Sequence, residues 1–169
     1  MCRAPAHIAL LRAVNVGGTG KLPMAELRAL AEQLEFDNPR TYIASGNLVF
    51  ESALAANKAR AKLEAALAAH LGKSIGVVVR SAAELRALLD ANPFPDAPSN
   101  RVLVSLLNEP VPADWESDVR HKNGELIVAG KRELYVHYVD GQGASKLRIP
   151  AAEAGTARNL NTLRALLEL

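Results

Sequence analysis

The chain has 169 residues with a formal charge of +2, and 49% of them are apolar against 22% charged. This composition belongs to a folded, soluble protein, carries no large field for nucleic acid or membranes, and offers no apolar run long enough to cross a bilayer. A single cysteine, Cys2, excludes an internal disulfide framework and a cysteine-based zinc cluster. With no basic segment leading into an apolar one at the start, it points to a reducing cytoplasm.

His7–Val14 reads as a strand with Ile8, Leu10 and Val14 on one face and Ala9 and Leu11 on the other. Apolar residues on both faces predict a central place in a sheet. Gly17, Gly18 and Gly20 end the run, Pro23 suits a first helical turn, and the spacing of Met24, Leu27, Leu30, Ala31 and Leu34 is helical. Thr41–Ala44 and Asn47–Phe50 are short β-prone runs on either side of Ser45-Gly46, a hairpin pattern. Ser52 is a candidate cap for a helix striped by Leu63, Leu67 and Leu71, which Gly72 stops before a strand at Ile75–Val79. The order to this point is βαββαβ.

Ser81-Ala82-Ala83-Glu84 is a capping-box pattern opening a further helix. Pro93, Pro95 and Pro98 then mark residues 92–100 as the connection between a first unit, 1–91, and a second, 101–169. The second unit reads as a strand at Arg101–Leu107 and a short helix from Pro112 to Val119. A hairpin of Leu126–Ala129 with Glu133–Val139, a helical stretch within Ser145–Ala154 and a strand at Gly155–Asn159 follow. Asn161 then caps a last helix. A repeated βαββαβ order predicts an α+β protein of two tandem ferredoxin-like units (α/β plaits) with antiparallel sheets and extra helices. The 30 Ala and 25 Leu fill the helix stripes of such a fold.

Polar residues concentrate in a few loops. Asn15-Val16-Gly17-Gly18-Thr19-Gly20-Lys21 follows a strand and precedes a helix, where it serves either as a simple turn or as an anion cradle. It lacks the glycine and the hydroxyl residue of a P-loop, since Asn15 and Leu22 stand at those places. Arg12 shares the face of Ile8 and Leu10, which calls for an ion pair or a ligand beside it. Gly141-Gln142-Gly143-Ala144-Ser145-Lys146 is a second glycine loop with a lysine. Lys146, Arg148, Arg158 and Arg164 against Glu153 leave +3 over Ala144–Arg164, either solvated surface or a phosphate site. Arg158, Asn159, Asn161 and Thr162 surround a helix start.

Catalytic patterns are absent. Ser145 and Lys146 are chain neighbours and so do not form a dyad, and His7, His70, His121 and His137 have no metal-ligand spacing. No cofactor or metal is implied. An RNA-recognition module shares the strand order, but Ser45–Phe50 offers a single aromatic for stacking. Three Phe, three Tyr and one Trp are too few for a stacking platform, so nucleic-acid binding is not expected.

Leu10–Gly18, Met24–Arg28, Thr41–Phe50, Ser145–Leu147 and Thr156–Thr162 together resemble the bacterial family catalogued as domain of unknown function 1697, over about His7 to Leu167. The resemblance implies two ferredoxin-like units in one protein and carries no activity. Arg12, Asn15, Gly17, Gly18, Ser45, Gly46, Asn47, Ser145, Lys146, Arg158, Asn159, Asn161 and Thr162 match its motifs. Ala144 replaces a basic residue of the pattern and Leu160 a tryptophan. The resulting expectation is a small anionic, phosphate-bearing ligand held in a cleft between the units by these residues and Lys21. The alternatives are an interaction or homodimerisation module, and an enzyme acting on a phosphorylated or nucleotide substrate.

Overall fold

Apolar side chains on both faces of one short strand require burial on both sides, and Ile8, Ala9, Leu10 and Leu11 are all buried. The structure is a computed structural model that describes residues 4–12 and 21–169. Those residues form a mixed α+β protein that divides into two compact units, 1–87 with 165–169, and 88–164.

In the first unit the order is β1 (Ala6–Leu11), α1 (Met24–Gln33), β2 (Asp37–Thr41), β3 (Asn47–Glu51), α2 (Ala56–Leu71) and β4 (Val77–Ser81). The strands make one antiparallel sheet in the order β2-β3-β1-β4, with β1 inside as its apolar faces demand. Alternation sends Ala9 and Leu11, Leu48 and Phe50, and Val77 and Val79 to one face, where they pack with Leu27, Leu30, Leu63 and Leu67 of the helices. Phe36 stacks on Phe50 with ring centroids 4.2 Å apart. Gly72, at φ 71, closes α2 in the left-handed conformation that glycine adopts without strain.

Three local expectations are corrected here. The hairpin's first strand is Asp37–Thr41 rather than Thr41–Ala44, so Pro39 lies inside it. β2 is an edge strand and carries a register shift between Asp37 and Arg40, a setting in which a missing N–H costs no ladder bond. Ser52 does not cap α2, whose N-cap is Ala55; its hydroxyl accepts from the Leu54 N–H instead. The fourth strand runs from Val77 rather than Ile75, although Ile75 is in the core. The capping box at Ser81 and Glu84 is present in reciprocal form: each backbone N–H donates to the other's side chain, both at 3.1 Å. It opens α3 (Ala82–Asp90).

The second unit holds β5 (Val102–Leu106), β6 (Leu126–Ala129), β7 (Glu133–His137) and β8 (Thr156–Asn159), and the start of α4 (Leu160–Leu167), whose last residues belong to the first unit. The strands form an antiparallel sheet in the order β6-β7-β5-β8. The two helices expected between these strands are only 3-10 turns, at Trp115–Asp118 and Pro150–Ala152. Pro110 and Pro112 hold Val111 away from helical geometry, and Ile149 stays extended ahead of Pro150. These turns cover one sheet face over Leu134, Val136 and Ile149, with Trp115, Ile127 and Tyr138 packed against that cluster. Among the described residues no helix is long and apolar enough to cross a membrane.

Candidate functional site

The unusual geometry of the second unit lies where two irregular segments meet. Residues 120 and 148 exchange backbone hydrogen bonds, Arg120 N–H to the Arg148 carbonyl and the reverse, each 2.9 Å. This isolated bridge fixes the segment 120–125 beside the second glycine loop. Leaving the bridge, the chain turns through His121 at φ 58 and Gly124 at φ 86, and the glycine loop turns through Gly141 at φ 88. Histidine in the left-handed region is uncommon and costly, so its place here marks a backbone constrained by its surroundings.

A side-chain latch joins the segments. The Ser145 hydroxyl donates to Glu125 Oε1 at 2.6 Å, and the Asn123 backbone N–H donates to Glu125 Oε2. Glu125 is buried. The Ser145 hydroxyl, then the Asn123 N–H, hold its carboxyl below the usual carboxylate range, and nearby Lys122 adds to this against the opposing effect of burial. Ser145 Oγ also accepts from the Leu147 N–H at 3.2 Å. Tyr138 is raised above the ordinary tyrosine value, first by burial and then by the Glu125 charge, and so remains a donor at neutral pH.

Between the segments opens a cleft of about 490 Å³. Lys122 and Lys146 supply positive charge to its lining, Glu125 and Asp140 negative charge, and His121 and Tyr138 further polar groups. The volume is within the range of pockets that enclose a small metabolite, roughly 300–1,000 Å³. Of the ligand-binding residues expected from sequence, Ser145 and Lys146 line it.

The others have different positions. Asn15, Gly17 and Gly18 lie outside the described residues. Lys21 is exposed just ahead of α1. Arg12, expected on the apolar face of its strand, stands one residue beyond β1 and is exposed; its N–H donates to the Gly76 carbonyl at 2.9 Å. Ser45, Gly46 and Asn47 build the hairpin turn. Asn47 is fully buried and donates to the Tyr42 carbonyl and Ser45 Oγ, both at 2.9 Å, while Gly46 at φ 86 accepts from the Leu11 N–H.

Arg158, expected in an exposed basic patch, is 9% exposed in β8 and donates to Thr156 Oγ1 at 2.6 Å and the Ala157 carbonyl at 2.9 Å. Burial lowers it to about 10, still above neutrality. Asn161 does not cap α4. Asn159 does, its Oδ1 accepting from the Thr162 N–H at 2.9 Å, which leaves Asn161 exposed on the first turn.

Sequence reasoning missed Glu125, Lys122, His121 and Tyr138. The Lys122-Asn123-Gly124 turn ahead of a short strand is the only local signal for the first three, and the bridge at 120 and 148 that brings their segment beside the glycine loop is nonlocal, while Tyr138 directly follows β7. Among the described residues no group of three or more His, Cys, Asp or Glu could hold a metal ion.

Residues 5–135 match the family model described as Protein of unknown function (DUF1697). The chain belongs to that family. Within this DUF1697 protein, the blocks at 145–147 and 156–162 lie beyond the matched stretch. No curated protein matches the chain. Among solved structures it is similar to the conserved bacterial protein SP0830 from Streptococcus pneumoniae, at 24% identity and a TM-score of 0.80 over 97% of each chain. At that identity the likeness shows the fold alone.

Proposed function

We propose that this DUF1697 protein binds a small phosphate-bearing ligand in the polar cleft of its second unit. The observation that carries this reading is the convergence of Lys122 and Lys146 on one cleft from separate segments. Neither lysine side chain has a hydrogen bond or an ion pair within the described residues. Two such ammonium groups beside the Tyr138 hydroxyl make a donor set for phosphate oxygens. The exposed Arg12 and Lys21 are not needed for it.

Each unit is read in the same proposal as a ferredoxin-like α/β plait, 1–91 and 101–169 joined through 92–100, in a cytoplasmic protein. The strand orders support this, since in each sheet the first strand in sequence sits between the third and the fourth.

Binding is favoured over catalysis by the state of the carboxylate. Glu125 is in hydrogen-bond contact with Ser145, but its lowered proton affinity makes it a poor general base, and the Ser145 hydroxyl is engaged in the turn. An interaction module is the second reading, supported by edge strand β6, where Leu126 and Val128 are 49% and 41% exposed.

Calorimetric titration with a panel of phosphomonoesters tests the binding proposal. At least one should bind the wild-type chain, and the Lys122→Ala/Lys146→Ala variant should bind it at least about tenfold more weakly, the loss of two charge-assisted contacts. A panel with no binder, or a variant that binds as well as wild type, contradicts it.

A further inference from the structure

The cleft is not uniformly positive. Two lysines and two carboxylates line it, so its fixed side-chain charges cancel. One of the carboxylates cannot be dismissed as a solvated surface group: Glu125 is 5% exposed and held on both oxygens, by Ser145 and by the Asn123 N–H. A carboxylate has about four lone-pair sites, so these two contacts leave acceptor capacity free. A phosphate entering between Lys122 and Lys146 meets a fixed negative charge that has no freedom to turn away, and a bare phosphate monoester offers nothing to offset that repulsion. A protonated amine on the same molecule would, with three N–H donors for an acceptor already in position.

We propose that the ligand is zwitterionic, a phosphorylated small amine whose phosphate lies toward Lys122 and Lys146 and whose ammonium group lies toward Glu125. This rests on the phosphate-binding reading and narrows it to a chemical class. Asp140, also on the lining, adds negative charge at the exposed rim. Tyr138, also on the lining, keeps its proton at neutral pH.

A matched pair of probes separates the two claims. O-phosphoethanolamine and ethyl phosphate share the phosphomonoester and differ in the amine. Titrated into the full chain at neutral pH, O-phosphoethanolamine should bind at least about tenfold more tightly, the scale of one charge-assisted contact. Glu125→Gln should remove that preference, so that the variant binds the two probes equally, its folded state confirmed by an unchanged amide spectrum away from the cleft. Equal binding of both probes to wild type overturns the zwitterion proposal and leaves the phosphate site standing. Binding of neither overturns the zwitterion proposal, and the phosphomonoester panel then decides the phosphate site by itself. The wild-type pair decides the matter even where Glu125→Gln fails to fold.

Discussion

Glu125 couples the cleft's shape to its charge. The same carboxylate that receives the Ser145 hydroxyl and the Asn123 N–H supplies the negative charge facing the lysines. Its proton affinity is lowered in the folded state, so ionisation stabilises that state. The sign follows directly: the contribution is complete above the ordinary value of 4.5 and is lost as pH falls through the lower folded value. The melting-temperature gap between wild type and Glu125→Gln should therefore be constant at neutral pH and shrink as pH falls below 4.5. A gap independent of pH across that window would show that the latch does not depend on the charge. At the same scale, Arg158 shows why a basic stretch is a poor guide to a site. Four basic residues between 144 and 164 suggest a surface patch, yet Arg158 is buried in β8 and engaged with Thr156 and Ala157. Which face of a strand a cation occupies depends on register, which charge counting along the chain does not contain.

At the scale of elements, local chemistry was readable and nonlocal tolerance was not. The Ser81–Glu84 box and the Gly72 stop were legible because each motif satisfies its own helix end. The central place of β1 was legible because apolar side chains alternate on both faces. β2 was displaced because Pro39 is acceptable only at a sheet edge, and edge position is a property of the assembled sheet. The helices expected in the second unit fail for a local reason: Pro112 and Pro150 keep the preceding Val111 and Ile149 out of helical geometry and leave only short 3-10 turns. The start of α4 provides a direct check. Asn159→Ala should lower stability by about 1 kcal/mol because it removes the acceptor for the Thr162 N–H, whereas Asn161→Ala should be close to neutral. Chemical denaturation of both variants decides between them, and a larger loss at Asn161 would contradict the assignment of the cap.

At the scale of the whole molecule, the candidate site was half legible. The glycine loop pointed to Ser145 and Lys146, and both line the cleft. Their partners come from residues 121–125, about twenty positions away, and reach the loop through the backbone bridge between Arg120 and Arg148. Neither residue type nor local pattern announces that bridge. The two units repeat one strand order with different connections: helices in the first, 3-10 turns in the second. Shorter connections leave the second unit's sheet flanked by irregular segments, and the cleft forms between two of these. Membership of DUF1697 and the likeness to the pneumococcal protein support the fold and leave the ligand to experiment.

The most direct measurement is an amide chemical-shift titration of the full chain with the tightest phosphomonoester found by calorimetry. The account predicts perturbations centred on residues 121–125 and 138–146, saturating with the calorimetric affinity and needing at least about tenfold more ligand in the Lys122→Ala/Lys146→Ala variant. Perturbations centred instead on 45–47 or 158–162, with the cleft amides unmoved, would contradict it.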